Sequence, residues 1–274
     1  MFLVTGATGN VGSELVKALV AAEAPVRVLA RRADVVVPDG VEVAVGDLNS
    51  AESLGDALAG VRGMFLMPGY GGMEGMLAQA RESGVQRVAL LSGGSAALED
   101  MSNAVSRYMT LSERAVRDAG MEWTFLRPRA FMSNVLRWMP QLEAGDTVRA
   151  PFPDVRLACV DPRDIAAVAM HALTEEGHDG RIYDLTGPES LLPAEQLAVV
   201  SRVLKRDLKF VGMTNEEARA DMEANMPVEY VDAFFNFYVD GALDESEVHP
   251  DVEKVTGRPA GTFDQWARRT FTPA

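Results

Sequence analysis

The sequence predicts an α/β fold, a doubly wound parallel sheet, and two observations predict it. The chain opens on a short apolar run, Phe2-Leu3-Val4, that leads into glycines at 6, 9 and 12. Further short apolar runs then recur at regular intervals, each followed by a segment with apolar residues at helical spacing. Strands alternating with helices at this pitch pair in parallel through right-handed crossovers.

The first unit is the most informative. Phe2 to Val4 reads as a buried strand, and Ser13 to Ala22 as an amphipathic helix, with the glycine turn between them. Gly6 permits the tight turn, Gly9 lets the backbone approach a pyrophosphate, and Gly12 lets the helix pack closely on the strand. The helix N-terminus adds free N–H groups and the positive end of its dipole. Together these features predict a Rossmann-type nucleotide site.

Pro25 to Ala30 reads as the second strand and ends at Arg31-Arg32. An acidic residue at this point would bind the ribose hydroxyls of NAD, whereas arginine suits the 2′-phosphate of NADP(H). No acid stands here, so Arg31 and Arg32 favour NADP(H); the alternative is a solvated basic pair at a strand end. Strands follow at Val41–Val45, Met64–Met67 and Val88–Leu91, with helices at Ser53–Leu58 and Gly75–Ser83 between them. Asn103 to Ala119 reads as a long helix and Trp123 to Leu126 as the next strand. Asp161 is placed to cap a helix that has Pro162 in its first turn. Val155 to Val160 and Gly180 to Thr186 read as strands, and Pro193 to Leu204 as a helix. Residues 1–150 are expected to form the nucleotide-binding core. Residues 151–274 are expected to form mostly a smaller substrate lobe, with some segments returning to the core. The acid-rich stretch from Thr214 to Thr256 reads as helices with a solvated face rather than as a site.

Composition narrows the function. The formal net charge of −14 argues against nucleic acid as a partner. No apolar run approaches the ~18 residues of a membrane span. Met1 leads directly into the first strand, so a cytoplasmic protein is expected. The single cysteine, Cys159, excludes an internal disulfide framework and reads as a buried, inert thiol. His171, His178 and His249 show no metal-ligand spacing, so no metal is expected.

Several motifs together resemble the NmrA-like family, an atypical branch of the short-chain dehydrogenase/reductase superfamily. They are Thr5-Gly-Ala-Thr-Gly-Asn-Val-Gly12, Arg31, Gly46-Asp-Leu48, Trp123-Thr-Phe-Leu-Arg-Pro128, Phe131-Met-Ser-Asn134, Asp161-Pro-Arg-Asp-Ile-Ala166 and Tyr183-Asp-Leu-Thr-Gly-Pro188. The resemblance implies an NADP(H)-binding core under a small C-terminal lobe that closes over a substrate cleft. It implies that Gly6, Thr8, Gly9, Asn10 and Val11 form the phosphate loop, and that Arg31, with Arg32, meets the 2′-phosphate. Asp47 and Leu48 would flank the adenine, while Met67 and Pro68 would lie along the middle of the cofactor. The family includes quinone reductases, other small-molecule reductases and catalytically silent redox sensors. Such folds also often form homodimers.

The proton-donating Tyr-x-x-x-Lys pair of typical superfamily reductases is missing. No lysine stands between Lys17 and Lys205, and the corresponding positions fall on about Val105 and Met109. Hydride transfer depends chiefly on the cofactor and on positioning, so a reductase of carbonyls, quinones or conjugated compounds remains the favoured expectation. A silent NADP(H) sensor is the alternative. Ser92, at the end of the fifth strand, and Tyr108 are the candidate catalytic donors. Ser92 could equally cap its own turn, and Tyr108 could lie on the wrong helix face. Phe131, Asn134 and Trp138 are the candidate substrate contacts. Met64, Met67, Met73, Met76, Met101, Met109 and Met132 are expected to give the cleft an apolar wall, which favours a small hydrophobic substrate.

Overall fold

The computed structural model describes residues 1–272. Its centre is a parallel sheet of β1 (Phe2–Val4), β2 (Val26–Ala30), β3 (Glu42–Val45), β4 (Gly63–Leu66), β5 (Arg87–Leu91), β6 (Glu122–Pro128) and, after an excursion, β8 (Arg181–Leu185). The strand order is β3-β2-β1-β4-β5-β6-β8, so the winding reverses between β1 and β4. At that reversal two loops diverge and leave a crevice above the strand ends, where ligands of open α/β sheets lie.

The alternation of side chains along each strand divides the core in two. Phe2, Val4, Val28, Phe65 and Leu126 face α1 (Asn10–Ala21) and, later in the chain, α6 (Pro162–Thr174) and α10 (Asp251–Thr256). Leu3, Leu29, Met64, Leu66 and Phe125 face the other way. They meet the short α2 (Gly55–Leu58), α3 (Met73–Glu82) and α4 (Ala104–Asp118). Asn103 caps α4 by accepting from the N–H groups of Val105 and Ser106, and Asp161 caps α6 by accepting from Arg163.

Most of the remaining elements, the lobe, share a third apolar cluster that includes Trp138, Leu142, Val148, Cys159, Phe263 and Trp266, while α9 (Val228–Tyr238) packs against α4. The lobe elements are a 3-10 turn at Met132–Trp138, α5 (Met139–Ala144), β7 (Thr147–Ala150), α7 (Pro193–Leu204), β9 (Lys209–Gly212), α8 (Asn215–Glu223), α9 and α11 (Phe263–Phe271). β7 and β9 pair as a separate two-stranded parallel sheet. The segment Val155–Val160, expected as a strand, is extended but pairs only through isolated bridges, Leu157 with Leu191 and Val160 with Phe131. Among the described residues, no helix is long and apolar enough to cross a membrane, and no three-residue His, Cys, Asp or Glu cluster could hold a metal ion.

Candidate active site

Close packing forces the glycine turn after β1. Gly6 has φ +62°, and a Cβ on Gly12 would lie 2.2 Å from the Gly6 carbonyl oxygen. The loop and the first turn of α1 are therefore in backbone contact. Gly9 stands at the N-cap of α1, without a side-chain cap. The N–H groups of Asn10, Val11 and Gly12 make no hydrogen bond among the described residues. These three donors, a close backbone approach and the helix dipole form a cradle for an anion. The residues present fit a pyrophosphate. Val11 takes part through its N–H alone, because its side chain is buried in the core.

Beside the cradle lies a cleft of ≈ 640 Å³ walled by Thr5, Gly6, Ala7 and Thr8, by Arg31 and Arg32, by Gly46 to Asn49, and by Tyr70. Arg31 is exposed and has no ion-pair partner among the described residues, whereas Arg32 pairs with Asp34 at 3.3 Å. The structure thus separates the two arginines. Arg31 has no counter-ion among the described residues, while the Arg32–Asp34 pair is itself largely solvent-exposed. Asp47 is held in a local turn, accepting from the Asn49 backbone at 2.9 Å and its side-chain amide at 3.1 Å. Leu48 reaches this wall but packs its side chain into the core. Met67 lies against Gly6, and its N–H donates to the Thr5 hydroxyl at 3.0 Å, tying β4 to β1. Pro68 follows it in the turn but is not part of this cleft. Tyr70 was not read from the sequence, although its place in the loop after β4 was the available signal.

Ser92 is corrected as a donor to substrate. It is 2% exposed and donates its hydroxyl to Glu113 Oε1 at 2.6 Å. Glu113 also takes a two-point contact from Arg127, with Nε at 2.8 Å and Nη2 at 2.7 Å. The carboxylate keeps the guanidinium firmly protonated, raising its already high pKa. Ser92, Glu113 and Arg127 form a closed buried network that fixes α4 to β5 and β6. Tyr108 is half-buried against Gly69 and edge-on to Tyr230, with 6.5 Å between ring centroids. It borders the opening between α3 and α4, and burial raises its phenol pKa. Met109 lies over Gly93.

The smaller lobe contains an apolar cavity of ≈ 310 Å³. Asn134 and Trp138 line it together with Phe152, Met222, Phe234 and Tyr238. Phe131 does not; it packs against the sheet core beside Val160. Two sequence expectations are corrected here. The methionines expected on the cleft do not line this cavity: Met64 and Met76 are fully buried core residues, whereas Met73 lines the opening between α3 and α4. The acid-rich stretch, expected as a solvated face, supplies Met222, Met226, Phe234 and Tyr238 to the wall. The Tyr238 hydroxyl donates to the buried Glu245 at 2.6 Å; burial raises the pKa of both groups. A hydrogen bond from Asn10 Nδ2 to Ser133 Oγ at 3.1 Å links the cofactor cradle to the lobe.

Cys159 lies behind this cavity, in contact with Gln196, and burial pushes its thiol up to about 12. A neutral, buried thiol is a poor nucleophile. Native protein at pH 8 is expected to leave its single cysteine unreacted with a thiol-specific disulfide reagent, and to react fully in denaturant. Rapid labelling of the native protein would contradict the packing described.

The model of the NmrA-like family matches residues 1–260. The chain is 42% identical to a (4-alkanoyl-5-oxo-2,5-dihydrofuran-3-yl)methyl phosphate reductase from Streptomyces griseus, over 97% of this chain and 96% of that protein. It is 35% identical to an NAD(P)H azoreductase from Xenophilus azovorans, over 98% of this chain and 97% of that protein. In fold it is similar to an NADPH-dependent quinone oxidoreductase from Escherichia coli, solved with NADPH, at a TM-score of 0.80 and 21% identity. That match covers 99% of this chain and 100% of the other. The chain belongs to the NmrA-like family.

Proposed function

We propose that the chain is a cytoplasmic NADPH-dependent reductase of a small conjugated compound with substantial apolar surface. The observation that carries this reading is the pairing of two sites through Asn10 and Ser133. One is a glycine cradle beside an unpaired Arg31; the other is an aromatic cavity in the lobe. The reductase activities of the relatives at 42% and 35% identity support it. When bound, NADPH supplies the hydride.

The protein's part is to hold and orient. The N–H groups of Asn10 to Gly12 and the Arg31 guanidinium bind phosphates, while Trp138, Phe152 and Phe234 exclude water from an apolar substrate. With Ser92 committed to Glu113, no Tyr-x-x-x-Lys pair and Tyr108 outside the lobe cavity, the proton comes from water at the cleft. This favours electron-poor acceptors such as quinones, conjugated enones and azo compounds, which need little acid assistance.

The test is NADPH oxidation at 340 nm against a panel of those acceptors. Turnover with any class supports the reading. Tight NADPH binding with no oxidation across the panel would replace it with a cofactor-sensing role. Cofactor choice gives a second expected result. Arg31→Ala should weaken NADPH binding about tenfold or more, the scale of a lost charge-assisted contact, and leave NADH binding nearly unchanged. Equal weakening of both, by fluorescence titration, would contradict the assignment of Arg31 to the 2′-phosphate.

A further inference from the structure

The lobe cavity has one feature that an apolar substrate alone does not require. Arg137 stands on its wall among Trp138, Phe152, Phe234 and Tyr238. Its Nε donates to the Asn134 carbonyl at 2.9 Å, which fixes the direction of the guanidinium. Its two terminal nitrogens make no hydrogen bond, and it has no ion-pair partner among the described residues.

Arg137 is solvent-exposed at the rim of the cavity, and its lack of a carboxylate contrasts with its neighbours. The chain carries 40 acidic residues against 26 basic ones. Three other arginines of the same lobe all have carboxylates: Arg149 with Glu217 at 2.7 Å, Arg156 with Glu195 at 3.0 Å, and Arg206 with Asp146 at 2.6 Å. Of these four, Arg137 alone is among the residues that line the cavity. Its charge is felt inside, where it favours ionisation of Tyr238 and Cys159 against the larger opposing effect of burial. The rest of the lining is apolar or neutral, with Asn134, Gln196 and Tyr238 as its other polar side chains.

We infer that the cavity takes an amphiphile, an apolar chain carrying an oxyanion head group, with Arg137 as the anion anchor. The inference rests on the reductase reading for this ligand to be the substrate. A guanidinium held through Nε presents its terminal N–H groups as a fork, which suits two oxygens of a phosphate monoester or of a carboxylate. The apolar wall takes the chain, and the head group lies at Arg137. In a chain this acidic, a free guanidinium is needed to offset repulsion of an anionic substrate.

The experiment is calorimetric binding of octyl phosphate, octanoate and octanol to the NADPH-loaded protein, its Arg137→Ala variant and its Arg137→Lys variant. The wild type is expected to prefer at least one of the two anions over octanol by about tenfold or more. Whichever anion shows the preference identifies the head group. Arg137→Ala should remove that preference while keeping octanol affinity and melting temperature, and Arg137→Lys should retain part of it, as a point charge without the fork. Equal binding of anions and octanol, equal loss of both in Arg137→Ala, or no binding of any of the three would overturn the inference. Because binding is read without turnover, failure here leaves the reductase reading to the oxidation assay. Failure of that assay leaves this binding result standing.

Discussion

Gly12→Ala is expected to reduce NADPH affinity by more than about a hundredfold and to lower the melting temperature. The added methyl would lie 2.2 Å from the Gly6 oxygen, 2.7 Å from the Gly6 carbonyl carbon and 2.9 Å from Ala7 Cα. All three are backbone atoms, so no side chain can rotate aside. The turn cannot simply yield, because Gly6 is fixed at φ +62° with Met67 packed against it. Relief requires α1 to move off the sheet, pulling on Val11, Leu15, Val16 and Leu19, all of which are buried. Overpacking of this kind costs about 1–3 kcal/mol or more. The same displacement moves the three free N–H groups from their anion, and loss of two charge-assisted hydrogen bonds at about 1.5–3 kcal/mol each gives the affinity change. Gly71→Ala is the control: nothing lies within 4 Å of its Cβ position, and neither property should change. A Gly12→Ala protein that bound NADPH normally would refute the cradle.

The second large effect is on stability. Glu113→Ala is expected to cost about 3–5 kcal/mol, the range for removing one partner of a buried ion pair. Glu113 is 3% exposed, and the Arg127 side chain is 14% exposed, so neither group is relieved by solvent once its partner is lost. The substitution leaves the Arg127 guanidinium without a counter-ion and the Ser92 hydroxyl without its acceptor. For a domain of this size the melting temperature should fall on the order of 10 °C. Ser92→Ala removes one hydrogen bond and keeps the ion pair, so it should cost only about 1 kcal/mol. It should also retain reductase turnover, since its hydroxyl faces Glu113. A Ser92→Ala variant that folded normally but lost turnover would return Ser92 to the site as a donor.

The sheet was legible because its strands announce themselves. Phe2-Leu3-Val4, Met64-Phe65-Leu66 and Val88 to Leu91 are apolar on both faces, as parallel strands covered by helices must be. The cap at Asp161 followed from one acid before one proline. β7 and β9 were missed because each has only four residues and lies outside the main sheet, with Arg149 or Lys209 interrupting the pattern. Val155 to Val160 misled for the opposite reason: an extended apolar segment need not find a continuous partner.

The site was legible only where backbone geometry dictated residue type. The glycine cradle belongs to that class. The lobe cavity was hidden by charge. α8 and α9 carry acids among their exposed residues, yet Met222 near the end of α8 and Met226 just beyond it, and Phe234 and Tyr238 on α9, fall four residues apart and line the cavity. That spacing was the signal, and net charge obscured it. Ser92 could not be assigned correctly from sequence, because its partner lies 21 residues away and is brought to it only by packing of α4 on the sheet.

The proposed transfer of hydride from NADPH to a conjugated acceptor leaves an isotopic trace. Its most direct test is mass spectrometry of the product formed from an enone and NADPH deuterated at both C4 positions. One carbon-bound deuterium per reduced molecule is expected, with the second added hydrogen drawn from water. Product without deuterium, or no product from any acceptor despite saturating NADPH, would contradict it.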